Sequence, residues 1–307
     1  MLGVNLAAAP NVVPSPIGAY TALVGAAPRI IMWYQDWNPD WSTALIDQRM
    51  VNAVTSRGAI PMITWQPQIG AGGVNQPAYA LRNIATGAFD SFIWRSAREA
   101  AAYGKPFYLR FAPEMNGHWA SWGAGVDGNT PADFVAAWRH VVGIFRAAGA
   151  NNAIWVWAPN VNTAGKYPFP AYFPGNSWVD WVGLDGYNWG VSSDSRWLTL
   201  GQVFASSYAT ITRLSDRPLM ISETGSATKG GDKGSWITQG FLNEIPTLLP
   251  RVRAVIWFDR DKEKDWRVNS SPAALRAWRQ VVASPLYGKS VAALSRRRDG
   301  RHVRFRT

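Results

Sequence analysis

The chain has 307 residues, of which 47% are hydrophobic and 17% are charged, and it contains no cysteine. This length allows one large α/β barrel as easily as two domains, and the absence of cysteine excludes disulfides and thiolate metal sites. No apolar run approaches the roughly 18 residues that would predict a membrane-spanning helix.

The net charge of +11 is unevenly distributed, because six arginines and one aspartate fall within residues 296–307. We expect residues 289–307 to form a flexible basic tail, and the missing aromatic interleaving argues against a nucleic-acid partner. Residues 1–3 lead directly into an apolar segment without the charged region or cleavage site of a signal peptide. We expect a secreted or cell-surface protein whose leader has been removed, with a cytoplasmic location as the alternative.

Eight short apolar runs, rich in β-branched and aromatic residues, predict β-strands. They cover residues 3–7, 29–35, 59–67, 106–114, 153–160, 179–188, 218–225 and 252–260. Helical patterns lie between several of these strands, at residues 89–104, 130–149, 236–251 and 271–285. The second helix begins with Thr130-Pro131 and ends at Gly149, which are typical start and stop residues, and Pro246 predicts a kink in the third.

Strands that are apolar on both faces and alternate with helices predict a parallel sheet covered by helices. Eight such units predict an α/β fold, a (β/α)₈ TIM barrel with a single domain spanning residues 1–288. An open doubly wound sheet is the second possibility, but it normally has fewer strands and a nucleotide-binding fingerprint after the first one. The chain also contains 18 tryptophans. Those at strand ends offer flat surfaces on which sugar rings stack.

Two glutamates follow apolar strands of this predicted barrel and would face the same mouth. Glu114 ends the fourth strand and Glu223 the seventh. Such a pair suits cleavage of a glycosidic bond with retention, in which one carboxyl protonates the leaving oxygen and the other attacks the anomeric carbon. Arg110 precedes Glu114 by four residues, in the same inward-facing register, and Tyr187 after the sixth strand is an adjacent hydroxyl donor.

The segments "RFAPEMNGHWASWG", "GLDGYNWG" and "ISETG" resemble glycoside hydrolase family 26, and the resemblance covers nearly the whole barrel. Most members of that family are endo-β-1,4-mannanases, with some β-1,3-xylanases and mixed-linkage β-glucanases. The resemblance implies that Glu114 is the acid/base, Glu223 the nucleophile and Arg110 a contact of the nucleophile. The further substrate contacts implied by the resemblance and by the strand ends are Asn116, His118, Trp119, Trp65, Asn160, Tyr187, Trp189 and Trp257.

One departure from the family pattern precedes Glu114. The family usually has a sugar-binding histidine there, whereas this chain has Pro113, which offers neither a side-chain donor nor a backbone N–H. A hydrogen bond to the substrate is therefore missing or comes from elsewhere, for which Asn116, Asn160 and His118 are the candidates. This departure bears on the preference for mannose more than on hydrolysis.

We therefore expect a retaining endo-glycosidase, acting first on β-1,4-mannan or glucomannan. Hydrolysis of β-1,3-xylan, mixed-linkage β-glucan or an exopolysaccharide by the same family site is the alternative, as is a non-catalytic polysaccharide-binding barrel. We expect a monomer whose partner is a polysaccharide, with no cofactor and no metal. The glycine spacing of residues 123–128 matches a dinucleotide fingerprint only by accident, since it does not open a helix directly after a strand.

Overall fold

Eight parallel strands form a closed barrel in sequence order in a computed structural model of the chain. The structure describes residues 1–6, 14–37, 43–161, 166–288, 297–298 and 301–302. The strands are β1 (Leu2–Asn5), β2 (Ile30–Asp36), β3 (Ile60–Gln66), β4 (Phe107–Phe111), β5 (Ala153–Trp157), β6 (Trp181–Asn188), β7 (Leu219–Ser226) and β8 (Val252–Phe258). Because β1 pairs with both β2 and β8, the barrel closes, and the predicted (β/α)₈ fold is confirmed.

Helices cover the outside of the barrel between the strands. They are α1 (Pro14–Val24), α2 (Gln48–Thr55), α3 (Leu81–Ala85), α4 (Asp90–Tyr103), α5 (Pro131–Ala147), α6 (Leu200–Leu214), α7 (Lys233–Gln239), α8 (Ile245–Leu248), α9 (Pro272–Ala283) and α10 (Pro285–Gly288). At the start of α5, the Thr130 hydroxyl accepts from the Asp133 N–H while the Asp133 carboxylate accepts from the Thr130 N–H. The break predicted at Pro246 is present: a π-helical turn, Gly240–Glu244, separates α7 from α8, and proline lacks the N–H that would continue the regular ladder.

The strand side chains build two separate apolar layers. Met32, Met62 and Tyr108 belong to the layer inside the barrel. Trp33, next to Met32, and Trp155, next to the inward-facing Ile154, belong to the layer between barrel and helices. This alternation follows from the two-residue period of a strand. It places most of the buried tryptophans against helices and not in the mouth of the barrel.

The predicted basic tail, residues 289–307, lies outside the described residues except for two short strands. These are Arg297–Arg298 and Arg301–His302, which pair antiparallel. Within the described part of the chain, no helix is both long enough and apolar enough to cross a membrane.

Candidate active site

A β-bulge in β7 places Glu223 in the mouth of the barrel. The pairing of β6 with β7 changes register between Leu184 and Asp185, so that Ser222 is the extra residue. The Ser222 hydroxyl donates a 2.5 Å hydrogen bond to Asp185, and the following side chain, Glu223, also turns inward, where it is 5% exposed. Bulges beside active sites commonly re-aim a side chain in this way.

Three side chains from three different strands donate hydrogen bonds to the Glu223 carboxylate. Tyr34 Oη donates to Oε1 at 2.6 Å, and Tyr187 Oη donates to Oε2 at 2.6 Å. The guanidinium of Arg110 donates to Oε1 as well. Both oxygens are thereby fixed in orientation, and the carboxylate is surrounded by donors that stabilise its negative charge.

Arg110 is fully buried and lies between two carboxylates. Its Nη1 atom is 2.8 Å from Asp185 Oδ2, its Nη2 atom contacts Glu223, and its Nε donates to Thr64 Oγ1 at 3.1 Å. Burial raises the pKa of Asp185 well above its ordinary value, although the positive charge of Arg110 acts in the opposite direction. The guanidinium therefore offsets part of the cost of burying two carboxylates in one small volume.

Glu114 reaches the mouth through a left-handed turn and not through the strand register that the sequence suggested. Strand β4 ends at Phe111, and both Ala112 (φ 43°) and Glu114 (φ 55°) have positive φ. Such conformations cost roughly 1–2 kcal/mol each in residues other than glycine. The Glu114 N–H donates to the Ala158 carbonyl at 2.8 Å, which fixes this turn against the end of β5. The prediction that Glu114 faces inward because it continues the strand register of Arg110 is therefore wrong, although both residues face the site.

The environment of Glu114 favours its protonated form. Burial raises the pKa of Glu114, and the negative charge of Glu223 raises it further. Hydrogen bonds from the Asn160 amide and from Trp119 Nε1, the latter 2.8 Å from Oε2, act in the opposite direction. A carboxyl that keeps its proton at higher pH than usual is suited to act as a general acid.

Trp119 forms an exposed wall beside Glu114. Its side chain is 42% exposed, and its ring lies over Gly117, where an added Cβ would stand 2.4 Å from the ring. Glycine at this position is thus required for Trp119 to reach Glu114. His118, also exposed, neighbours the Trp119 ring at 5.7 Å between centroids.

Asn116 has a different position from the one predicted. Its side chain is buried and pairs with the backbone of Asn160, donating to the Asn160 carbonyl at 2.8 Å and accepting from the Asn160 N–H at 2.9 Å. The prediction that Asn116 contacts substrate is wrong, because its amide is used inside the protein. Its effect on the site is indirect, since it holds the residue whose side chain bonds Glu114.

Trp65 and Trp257 also lie away from the mouth, contrary to prediction. Both are fully buried on the helix side of their strands. The Trp65 ring is 5.6 Å from Phe92 of α4, and the Trp257 ring is 5.0 Å from Trp278 of α9. The two-residue alternation that turns their neighbours into the barrel turns these rings outward, so neither can lie beneath a sugar.

Tyr34 and Trp266 also belong to the site and were not predicted from the sequence, whereas Asp185 lies at the end of the sixth predicted strand but was given no role. Tyr34 shares the inward face of β2 with Met32, and that alternation was a usable signal. Trp266, in the segment after β8, lies 4.9 Å from Tyr187 and 5.1 Å from Trp189 between ring centroids. Trp189, directly after β6, is 39% exposed, and its contact with substrate stays a prediction. Among the described residues, no group of three or more His, Asp or Glu side chains is placed to hold a metal ion.

Comparison with known proteins gives one consistent family. The family model for glycosyl hydrolase family 26 matches residues 87–244. The chain is 37% identical over 275 residues to Endoglucanase H of Acetivibrio thermocellus, a match that covers 88% of this chain and 29% of that protein. It is 30% identical over 153 residues to mannan endo-1,4-beta-mannosidase A and B of Caldalkalibacillus mannanilyticus, covering 48% of this chain and 27% of that protein. The chain thus spans less than a third of the length of these two relatives.

Solved structures show the same fold at lower identity. The catalytic domain of a GH26 endo-beta-1,4-mannanase from Bacillus sp. JAMB-750 superposes with a TM-score of 0.68 and 19% identity, covering 92% of this chain and 85% of that one. Bacillus subtilis mannanase man26 superposes with a TM-score of 0.65 and 20% identity, covering 90% and 83%.

Proposed function

The chain belongs to glycosyl hydrolase family 26, and from this premise we propose that it is a retaining endo-glycosidase that cleaves a β-linked polysaccharide. One observation carries the proposal: two carboxyl groups share the barrel mouth in opposite environments. Glu223 accepts three hydrogen bonds, whereas burial and a neighbouring negative charge raise the pKa of Glu114. A carboxyl with a raised pKa, such as Glu114, is suited to be the acid, and a carboxylate held by three donors, such as Glu223, is suited to be the nucleophile.

The first chemical step uses both groups. A Glu223 oxygen attacks the anomeric carbon and forms an ester bond, while the bond from that carbon to the glycosidic oxygen breaks. Glu114 gives its proton to the departing oxygen, which leaves as a sugar hydroxyl. The donors Tyr34, Tyr187 and Arg110 hold the attacking carboxylate in one orientation, so little reorganisation is needed at the moment of reaction.

The second step returns the enzyme to its starting state. The negative charge of Glu223 is one cause of the raised pKa of Glu114. Once Glu223 is esterified that charge is gone, so the pKa of Glu114 falls and its carboxylate can take a proton from water. The water oxygen attacks the anomeric carbon, the ester bond breaks, and the product keeps its original β-configuration.

Two exposed tryptophans supply the sugar-binding surfaces of this proposal. Trp119 is exposed in the segment after β4, and Trp189 is exposed directly after β6. Flat apolar rings of this kind suit the C–H faces of β-linked sugars. Polymers of such sugars occur outside the cell, which supports a secreted or cell-surface location.

Among β-linked polymers we place a β-glucan first and mannan or glucomannan second. The relative named Endoglucanase H is 37% identical across 88% of the chain, whereas the mannosidase relative is 30% identical across 48%. Pro113 supports the same order, because it offers no donor at the position before Glu114 and its carbonyl is used by Trp122 Nε1 at 2.6 Å. β-1,3-Xylan is the third candidate, from a relative of that activity at 30% identity over 47% of the chain.

The test is a reducing-end assay on mixed-linkage β-glucan, glucomannan, galactomannan and β-1,3-xylan, with Glu223→Ala and Glu114→Ala as matched variants. We expect activity on at least one polymer and its loss in both variants. Proton NMR of the first product should show the β-anomer. Full activity in Glu223→Ala would refute the assignment, an α-anomer would refute retention, and binding without any product would favour a non-catalytic barrel.

A further inference from the structure

Lys233 is a buried cation whose position the proposed mechanism does not use. It is the first residue of α7 and is 3% exposed. Its Nζ atom donates to two backbone carbonyls, those of Asp265 at 2.9 Å and Arg267 at 2.8 Å, and lies 5.7 Å from the centre of the Trp257 ring. Burying an ammonium group costs free energy unless the group is hydrogen-bonded, and these contacts offset that cost.

The two carbonyls belong to the segment that follows β8, residues 259–268, which we call the β8 loop. Two further contacts hold the same end of this loop. The Val268 N–H donates to Asp259 Oδ1 at 2.7 Å, and Trp257 Nε1 donates to the Trp266 carbonyl at 2.9 Å. The backbone around Trp266 is thus fixed on both sides, and Lys233 supplies the only lysine or arginine side chain that donates to backbone carbonyls of this loop among the described contacts.

The β8 loop supports the side chains that orient Glu223. The Trp266 ring packs on Tyr187 and on Trp189. Phe258, directly before the loop, packs edge-on against Tyr187 at 5.9 Å and against Tyr34 at 6.3 Å. Tyr34 donates a hydrogen bond to Oε1 of Glu223, and Tyr187 donates one to Oε2.

We propose that Lys233 is a positioning residue for the nucleophile: by holding the β8 loop it presses Trp266 onto Tyr187 and so fixes the Tyr187–Glu223 hydrogen bond. The inference rests on the proposed function, because it assigns Lys233 a part in the step that Glu223 carries out. Lys233 does not touch the substrate.

The charges around Lys233 are consistent with this role. Burial lowers the pKa of Lys233 to about 8, the carboxylates of Asp265 and Asp259 oppose that change, and the guanidinium of Arg267 adds to it. The amine therefore keeps its proton at neutral pH and holds the loop carbonyls through charge-assisted hydrogen bonds.

The experiment follows the nucleophile directly, by trapping it with a 2-deoxy-2-fluoro aryl β-oligosaccharide of the preferred sugar. In this reaction a Glu223 oxygen displaces the aryl oxygen from the anomeric carbon, and the phenolate leaves without needing Glu114. Mass spectrometry gives two quantities for each variant: the rate constant of labelling and the final labelled fraction. In Lys233→Met we expect the rate constant to fall by about tenfold to a hundredfold, the scale of a misplaced reacting group. The final fraction should still reach that of the wild type.

Lys229→Met is the matched control, since it makes the same chemical change at an exposed position before α7. We expect it to label at the wild-type rate. We also expect Lys233→Met to cause little further loss when added to Tyr187→Phe, because both changes disturb the same hydrogen bond.

Three outcomes would overturn the inference. The first is a wild-type rate constant in Lys233→Met, and the second is a reduced labelled fraction at an unchanged rate, which would indicate only a loss of folded protein. The third is full additivity with Tyr187→Phe. If Lys233→Met yields no folded protein, Trp266→Phe tests the same contact: slower labelling supports the inference and wild-type labelling overturns it. Absence of labelling in the wild type would instead refute the proposed function.

Discussion

Replacing Arg110 with methionine should destabilise the barrel at neutral pH far more than the loss of packing would. Methionine fills a similar apolar volume, but it leaves Asp185 and Glu223 without the cation that lies between them. All three side chains are nearly or fully buried. Removing one partner of such a buried group costs about 3–5 kcal/mol, since the remaining charges have no compensation.

The size of this loss should depend on pH in a defined direction. Burial already raises the pKa of Asp185, and Arg110 lowers it, so removal of Arg110 lets that pKa rise further. A carboxyl whose pKa is higher in the folded than in the unfolded state weakens stability above its unfolded pKa and ceases to do so once it is protonated. The deficit of Arg110→Met should therefore be larger near about pH 7 than near about pH 4, because folded Asp185 takes up its proton above its ordinary pKa of about 3.9 as the pH falls.

Urea unfolding at the two pH values measures both effects, provided that the dependence of the unfolding free energy on urea concentration is unchanged. Asp185→Asn added to Arg110→Met should recover part of the loss at neutral pH. Arg49→Met is the control, because Arg49 pairs with Asp47 on the surface and should leave the midpoint unchanged. A variant at Arg110 that unfolds at the wild-type midpoint, or whose deficit grows as the pH falls, would refute the reasoning.

Three further predictions concern single contacts of the site. Tyr187→Phe removes one donor from Glu223 and should lower kcat by about tenfold to a hundredfold, since a hydrogen bond to a charged group contributes about 1.5–3 kcal/mol. Trp119→Phe removes a donor that lowers the pKa of Glu114; that pKa should rise, and the alkaline limb of kcat/KM should move to higher pH. Trp189→Ala should raise KM by about twofold to tenfold with little change in kcat, because an exposed stacking surface of about 0.5–1.5 kcal/mol is lost.

Each of these has its own check. A Tyr187→Phe enzyme with wild-type kcat would contradict the orientation of Glu223 described above. An alkaline limb that moves to lower pH in Trp119→Phe would contradict the hydrogen bond to Glu114. For Trp189 the matched variant is Trp65→Ala, which should cost about 3–5 kcal/mol of unfolding free energy and leave the KM of the folded enzyme unchanged.

The fold and the acidic pair were predictable from the sequence because both depend on local patterns. Short runs that are apolar on both faces, alternating with helical patterns, define the barrel, and the carboxyl ends of parallel strands meet at one mouth. That geometry places Glu114 and Glu223 at the same mouth, although it does not specify how either side chain turns inward. Tyr34 was within reach of the same pattern, since it shares a face with Met32.

The errors arise where position depends on backbone irregularities or distant contacts. The residue at 114 faces the site because of a left-handed turn, and the one at 223 because of a bulge, neither of which has a sequence signature here. Trp65 and Trp257 are strand-end tryptophans like Trp189, but strand parity turns them toward helices. The backbone on either side of Trp266 is held by Lys233, and the Trp266 carbonyl by Trp257, through contacts that no spacing in the sequence reveals.

The pairing of β1 with β8 has a consequence for the order in which this protein matures during synthesis. The amino group of Met1 donates to the carbonyl of Arg253, so these neighbours in space are 252 positions apart in the chain. Of the eight barrel strands, β1 is synthesised first, and it keeps one unpaired edge until β8 is made. Both acidic residues are present before Phe258 and Trp266 have been added. The proposed hydrolytic activity should therefore arise late, when β8 pairs with β1 and the residues after it reach the site, and not gradually as the chain lengthens.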